Sequence, residues 1–202
     1  MRRRRRHVHG SDFTPGAILA PSNAISIGLS VIRPLYSSAG PSATRGHRMQ
    51  DQPRAHNGPS GLEQLRTLIA DPNRMPTMGK TLNFELVSAD LERVVFRGTP
   101  TDQFMNPLGT VHGGWASAIL DSALGCATHV TLAPGELFTT LELKVNLTRA
   151  IRPDGRALTA TGRMVTRGRR VAVTEATLAD DDGKVYAHGT STCMIMPPGS
   201  AL

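Results

Sequence analysis

Asp121 is the residue of this sequence whose surroundings most favour chemistry. It is the only acidic residue between Asp102 and Glu136, and its neighbours are mostly apolar. A carboxylate in such surroundings must be hydrogen-bonded, paired or shifted in pKa. An apolar site also makes a carboxylate a stronger base, which suits activation of water near neutral pH. Asp121 is therefore the first candidate for a catalytic residue, and a core acid bonded to Ser122 or Thr128 is an equal alternative at this point.

The element that carries Asp121 is predicted to be a buried helix. Residues 115–130 are apolar on nearly every side of a helix, which is typical of burial in a core or a membrane. Polar residues interrupt this run too often for it to cross a bilayer. A single apolar helix needs a sheet that curls around it.

Periodicity and turn signals predict the remaining elements. The prediction is a helix over 61–70, strands over 79–89 and 91–99, the central helix, and strands over 139–149, 157–166, 170–179 and 184–196. The last four strands are predicted to form an antiparallel meander. The first of them is expected to be half-buried through Leu141, Leu143, Val145 and Leu147. The fold class is therefore α+β, with a curved antiparallel sheet around one long helix.

The charge of the chain is divided unevenly along it. Residues 1–50 hold eight Arg and one Asp, whereas residues 51–202 hold fifteen basic and fifteen acidic residues. The domain is therefore neutral, which argues against a nucleic-acid partner. We also expect no membrane partner.

Residues 1–55 are predicted to form a disordered Arg-, Ser- and Pro-rich tail. Three interpretations remain open: an organelle transit peptide, a secretion signal, or a sequence upstream of a true start at Met49. We favour the third and expect a cytoplasmic protein, or an organellar one if the tail is a transit peptide. Cys126 and Cys193 are expected to be free, buried thiols.

The motif NPLGTVHGG at residues 106–114, followed by Asp121, resembles the signature of hot-dog-fold acyl-CoA thioesterases of the phenylacetate-degradation (PaaI-like) type. The later run TLELKVNLTR at residues 140–149 resembles that family's first long strand after the helix. The similarity covers about residues 60–197, which would form the thioesterase domain.

This resemblance implies hydrolysis of a coenzyme A thioester with an aromatic or medium-chain acyl group, without a metal or redox cofactor. Asp121 would be the nucleophile or general base, and the Gly113 amide would polarise the thioester carbonyl. Asn106 and Thr140 would position the carbonyl and the water. The remaining expected site residues are His112, in a supporting role that orients the loop or Asn106, and Gly114, next to the substrate.

The spacing of Gly113 and Asp121 predicts a composite site. Eight residues along one helix separate them by about 12 Å, whereas one carbonyl needs both groups within about 3 Å. Two antiparallel helices from different subunits satisfy this requirement. We expect an obligate homodimer with two sites, and pairing of dimers into a homotetramer.

Coenzyme A carries phosphates, so cations are expected near the mouth of the site. Arg167, Arg169 and Arg170 on a predicted hairpin turn are the candidates, although a solvated charged turn is an equal alternative.

Two other functions remain open from the sequence. Some hot-dog proteins hydrate or dehydrate acyl thioesters with a histidine and an acid, here His112 and Asp121. A non-catalytic acyl-CoA-binding module is the third possibility, and it would need an output domain that the tail does not suggest.

Overall fold

Three helices and six strands build the part of the chain that the computed structural model describes, residues 58–74 and 77–200. The helices are α1 (Gly61–Ala70), α2 (Thr77–Leu82) and α3 (Gly113–His129). The strands are β1 (Phe84–Ala89), β2 (Val94–Gly98), β3 (Leu137–Leu147), β4 (Leu158–Arg167), β5 (Val171–Ala179) and β6 (Val185–Met196). The predicted tail over 1–55 and the possible start at Met49 lie outside the described residues.

Helix α3 is the core of the domain. Ile119, Leu120, Ala123 and Leu124 are completely buried, and the helix packs mainly against β4 and β5. The close approach of α3 to the sheet depends on Gly162 of β4, where an added Cβ would lie 2.3 Å from the carbonyl oxygen of Ala123. The predicted architecture, one central helix wrapped by a curved antiparallel sheet, is confirmed.

The strand order corrects the predicted meander. The sheet runs β1-β2-β4-β5-β6-β3, so β3 pairs with β6 at one edge and β4 pairs with β2. Tight turns join β4 to β5 and β5 to β6, as predicted, but ten residues separate β3 from β4. A connection of that length is not a tight hairpin, and it allows β3 to reach the opposite edge.

The prediction that β3 is half-buried through four residues is wrong for three of them; the fourth, Val145, is partly buried against the core. Leu141, Leu143 and Leu147 expose 59%, 39% and 57% of their surfaces. Leu143 and Leu147 do lie on the helix side of the sheet, because they pair with the buried Ser191 and Ala187. They are exposed because β3 is an edge strand, although α3 contacts it where Gly113 meets Leu147 and Gly125 meets Phe138.

The predicted strand over 79–89 is wrong in its first part. Helix α2 occupies residues 77–82, and Asn83, with a φ of 56°, separates it from β1. The indole Nε1 of Trp115 donates a hydrogen bond of 2.7 Å to the carbonyl oxygen of Leu82. This contact with α3 stabilises a short helix that local propensity does not favour.

Helix α1 is stabilised by its own N-terminal cap and by contacts with the end of α3. Ser60 and Glu63 form a reciprocal capping box at its N-terminus. The Gly61 amide donates to the Leu132 carbonyl oxygen, and an added Cβ at Gly61 would overlap the carbonyl oxygen of His129. The start of α1 is therefore anchored to the end of α3. Among the described residues, no helix has the length and apolar character needed to cross a bilayer.

Gly162→Ala tests the helix–sheet approach. We expect it to lower the free energy of unfolding by about 1–3 kcal/mol, because the new methyl group forces α3 and β4 apart. Gly58→Ala is the control, since an added Cβ there has no neighbour within 4 Å among the described residues. Denaturant unfolding measures both variants, and equal stability of the two would contradict the packing described here.

Candidate active site

The loop before α3 is built around Asn106. Its Oδ1 accepts from the amides of Leu108 and Thr110, at 2.9 and 3.3 Å, and its Nδ2 donates to the Thr110 hydroxyl at 2.9 Å. Gly109 adopts a φ of +76°, which its lack of a side chain permits. Asn106 therefore shapes the loop, and one proton of its amide group is not used by these bonds.

His112 is the N-cap of α3. Its Nδ1 accepts a hydrogen bond of 2.9 Å from the Gly114 amide, and its carbonyl oxygen accepts from the Trp115 amide. The Gly114 amide is therefore satisfied by the cap. His112 contacts Gly114 and, through its own amide, the Phe104 carbonyl oxygen, so its predicted role in orienting the loop agrees with this geometry.

A cavity of about 290 Å³ lies at the N-terminus of α3. Asn106 and Gly113 both contribute to its wall, so the structure brings these two predicted residues together. The full lining is Asn106, Thr110, Val111, Gly113, Ala116, Leu147, Thr148, Arg149, Ala150 and Ile151. Two larger concavities, of about 450 Å³ each, lie at the α2–β1 corner and on the outer face of the sheet, and neither includes a predicted site residue.

Gly113 is also a packing residue. An added Cβ would lie 2.4 Å from a methyl carbon of Leu147 on β3. Glycine at this position lets the end of β3 approach the helix N-terminus, where the first amides have no partner within the helix. The same packing therefore closes one side of the cavity.

The other wall of the cavity is held by a buried polar network. Asp180, only 6% exposed, accepts from Arg156 at 2.8 Å and from the Tyr186 hydroxyl at 3.0 Å. The Tyr186 carbonyl oxygen in turn accepts from the amides of Thr148 and Arg149. This network fixes the segment that faces Asn106 and Gly113.

Asp121 lies at mid-helix and is half-buried. Burial raises the pKa of its carboxyl above the ordinary value of 3.8, and no group in residues 58–74 or 77–200 offsets this by donating to it. Ser122 donates instead to the Ala118 carbonyl oxygen, and the Thr128 hydroxyl has no partner among the described residues. The alternative of a satisfied core acid therefore finds no support in these contacts.

Thr140 and the three arginines lie away from the cavity at Gly113. Thr140 is exposed on β3, beside the bulge that precedes Glu142. Arg167 is held by Glu136 at 2.9 Å and by Thr131 at 3.2 Å. Arg169 and Arg170 are exposed on the hairpin. The expectation that Arg167 faces phosphate is therefore not supported by its contacts, since its guanidinium already has an internal carboxylate partner.

Comparisons with known proteins place this chain in a family. The sequence model of the Thioesterase superfamily matches residues 108–187. A phenylacetic acid degradation-related protein from Ralstonia eutropha, a proposed thioesterase, is 30% identical, with 64% of this chain and 97% of that one covered and a TM-score of 0.58. This chain belongs to the thioesterase superfamily. It is a PaaI-like thioester hydrolase with the hot-dog fold, as the motif predicted.

Two further solved structures share the fold of this thioesterase. The Escherichia coli PaaI protein of the phenylacetic acid degradation operon is 19% identical, with 69% of this chain and 98% of that one covered and a TM-score of 0.60. A hypothetical thioesterase from Streptococcus pneumoniae, solved with coenzyme A, is 23% identical, with 58% and 89% covered and a TM-score of 0.51. No protein with a curated description matches this thioesterase.

Arg149 is a residue of the cavity at Gly113 that sequence reasoning missed. It lies at the cavity with Gly113 although 36 residues separate the two. The available signal was its position at the end of the 140–149 run, but that run predicted only a strand and no site residue at its end. Among the described residues, no group of three or more His, Cys, Asp or Glu side chains could hold a metal ion.

Asp121→Asn should stabilise the thioesterase at pH 7. The folded-state pKa of Asp121 is raised, so ionising this carboxylate opposes folding; this penalty is absent below about pH 3.8 and grows as the pH rises through the folded-state pKa. The stability difference between Asp121→Asn and wild type should therefore shrink on acidification, as thermal unfolding at several pH values would measure.

Asp180→Asn is a control for which the expected change in stability has the opposite sign. The pKa of Asp180 is lowered, because its hydrogen bonds from the Lys184 amide, Arg156 and Tyr186 outweigh its desolvation. Its carboxylate therefore contributes stability above pH 3.8 that is lost on acidification. A destabilised Asp121→Asn protein at pH 7 would mean that the carboxylate is paired in solution.

Proposed function

We propose that this thioesterase hydrolyses acyl-CoA esters to a free acid and coenzyme A. The observation that supports this most directly is the half-buried Asp121 carboxylate, which has no donor among the described residues and lies on the helix whose N-terminus borders a cavity. A carboxylate that accepts no hydrogen bond from these residues is available to react. The Gly113 amide is available to a developing oxyanion.

As a general base, Asp121 takes a proton from water while the water oxygen bonds to the thioester carbon. The carbonyl electron pair moves to the oxygen, where the Gly113 amide and Asn106 stabilise its charge. Collapse of the tetrahedral intermediate expels the thiolate of coenzyme A, which receives the proton from Asp121. As a nucleophile, the same carboxylate would attack the thioester carbon and expel the thiolate of coenzyme A, which forms an acyl anhydride; water then cleaves the anhydride to the free acid and restores the Asp121 carboxyl group. Both routes need the ionised form of Asp121.

The site is proposed to be shared between two copies of the chain. Gly113 and Asp121 belong to one continuous helix, so about 12 Å separates them. The side of α3 that carries Asp121 is incompletely covered, from Ser117 to Ser122, and β3 beside it is an edge strand with exposed leucines. An open edge and apolar side chains together favour a second copy as the cover.

The geometry of His112 favours hydrolysis over hydration of an enoyl thioester. Its Nδ1 accepts the Gly114 amide, so the neutral ring carries its proton on Nε2. Such a ring has no free lone pair with which to accept a proton from water. Hydration with His112 as the base would need that acceptor, whereas hydrolysis through Asp121 does not.

Coenzyme A as the leaving group is supported by the Streptococcus pneumoniae structure, which holds that molecule. For its phosphates this chain offers Arg149 at the cavity and Arg169 and Arg170 on the β4–β5 hairpin. We assign the phosphate contact to Arg149 first, because this exposed residue lines the same cavity as Gly113 and its guanidinium has no carboxylate partner among the described residues, only a long hydrogen bond of 3.4 Å from Nε to the Val185 carbonyl oxygen.

A mixing experiment tests the shared site. Asp121→Asn and Asn106→Asp should each lower turnover by orders of magnitude, the latter because a carboxylate would repel the oxyanion while keeping the acceptor oxygen of the loop. Refolded together in equal amounts, the two variants should recover about a quarter of wild-type thiol release, since half of the dimers then hold one intact site out of two.

Size measurement by light scattering accompanies the mixing experiment and reports a dimer or a tetramer. If the mixture stays as inactive as its components while mixed dimers are present, the two residues act within one chain and the shared site is wrong. If wild-type protein releases no thiol from any acyl-CoA ester, the proposed function itself is wrong.

Arg149→Ala should raise KM for acyl-CoA esters about tenfold, while KM for the matching acyl-pantetheine esters stays near wild type. The reason is that pantetheine lacks the diphosphate and the 3′-phosphate. The double variant Arg169→Ala, Arg170→Ala is compared in the same assay. An equal effect of Arg149→Ala on both ester types would refute its phosphate contact and leave the hairpin arginines as candidates.

A further inference from the structure

Arg149 lies in the ten residues, 148–157, that connect the edge strand β3 to β4. These residues belong to no strand, so their position depends on individual hydrogen bonds. In the middle of the connection, the Ile151 carbonyl oxygen accepts from the Val111 amide at 2.9 Å, and both residues line the cavity at Gly113. Both ends of the connection are attached to the β5–β6 hairpin.

The start of the connection is attached through a β-bulge at Tyr186. Two successive residues of β5 pair with Ala187 and Val185 of β6, so Tyr186 between them is the extra residue. A bulge turns the strand locally and changes the direction of its groups. Here the Tyr186 carbonyl oxygen accepts from the amides of Thr148 and Arg149, at 2.9 and 3.1 Å. The bulge therefore sets the direction in which Arg149 leaves β3.

The end of the connection is attached to the same hairpin by Arg156. Its Nη1 donates to Oδ2 of Asp180 at 2.8 Å and to the Tyr186 hydroxyl at 3.2 Å, and that hydroxyl donates to the same Oδ2 at 3.0 Å. The other carboxylate oxygen of Asp180 accepts from the Lys184 amide at 2.9 Å. The Asp180 side chain is therefore the common acceptor for the bulged residue, the hairpin turn and the far end of the connection.

Stability alone does not account for this buried carboxylate. Asp180 loses its hydration in the fold, and an apolar group of similar size at such a position is often no less stable than a buried ion pair. Hydrogen bonds to a charged group add direction, because each joins one given atom to another. At Asp180 this direction fixes the orientation of Tyr186, whose carbonyl oxygen in turn holds the amide of Arg149.

We propose that Asp180 and Tyr186 are positioning residues for coenzyme A, because they hold Arg149 where its guanidinium meets the phosphates. This inference rests on the proposed function, and within it on the phosphate contact of Arg149. Both oxygens of Asp180 accept hydrogen bonds, whereas the asparagine of Asp180→Asn has one acceptor oxygen, so one set of bonds is lost. The bulge and the far end of the connection then shift relative to each other, and Arg149 moves with the Tyr186 carbonyl.

The test separates phosphate binding from the rest of the reaction. In Asp180→Asn, the Kd of coenzyme A by calorimetry and KM for acyl-CoA esters should both rise about threefold to tenfold. KM for the matching acyl-pantetheine esters, which lack these phosphates, should stay near wild type, as should kcat. Asp181→Asn is the matched control on the same turn: its side chain is 70% exposed and pairs with Arg97, and all of these values should stay at those of wild type.

A double-mutant cycle shows whether Asp180 acts through Arg149. The Kd of coenzyme A is measured for Arg149→Ala and for the double variant Arg149→Ala, Asp180→Asn. If Asp180 acts by positioning Arg149, the second substitution should raise Kd no further, so the two effects are not additive. A purely structural role of Asp180 would instead weaken both ester types and persist without Arg149.

Tyr186→Phe is the second variant, and it replaces Asp180→Asn in the cycle if that protein does not fold. It keeps the ring and the bulge carbonyl but removes the hydroxyl that donates to Asp180, so it should cause a smaller loss of the same kind. Additive effects in the cycle, an equal loss with acyl-CoA and acyl-pantetheine, or wild-type affinity in both variants would overturn the positioning role. Failure of the proposed function is distinguishable, because wild-type protein would then release no thiol from either ester type.

Discussion

The close contact between α3 and the sheet is the constraint on which the rest of the structure depends. At Gly162 the strand backbone approaches the Ala123 carbonyl so closely that no side chain fits between them. The helix is thereby buried on the side that faces β4 and β5, and its remaining side is left for other contacts. Asp121 lies on that remaining side, half-buried, where its charge is neither neutralised by the sheet nor fully hydrated.

Local signals in the sequence predicted most of the elements. Alternating apolar residues and glycine turns gave β4, β5 and β6 to within one residue, and the leucine spacing gave α1 to the residue. The placement of β3 could not be obtained in this way, because pairing with β6 depends on residues some 40 to 60 positions apart. Helix α2 was missed for a similar reason, since the hydrogen bond from Trp115 that holds it comes from α3.

The candidate site was predictable where its residues are close in sequence. Asn106, His112 and Gly113 form one loop and one helix start, so their spacing indicated a common location, and the 290 Å³ cavity contains the first and the last of them. Arg149 joins them only through the fold, held by the Tyr186 carbonyl. The ion pair between Arg167 and Glu136 could not be predicted from the sequence either. A charged residue next to a turn glycine is expected to be solvated, and the sequence does not show whether it has a partner.

The order of the elements along the chain has a consequence for how such a protein diversifies. An apolar cavity of about 210 Å³ between α1, α2 and α3 is lined on its outer side by residues of α1 and α2, which precede in the chain the loop and helix proposed to break the thioester bond. Substitutions in α1 and α2 can therefore reshape this cavity while the sequence of the loop and of α3 stays the same.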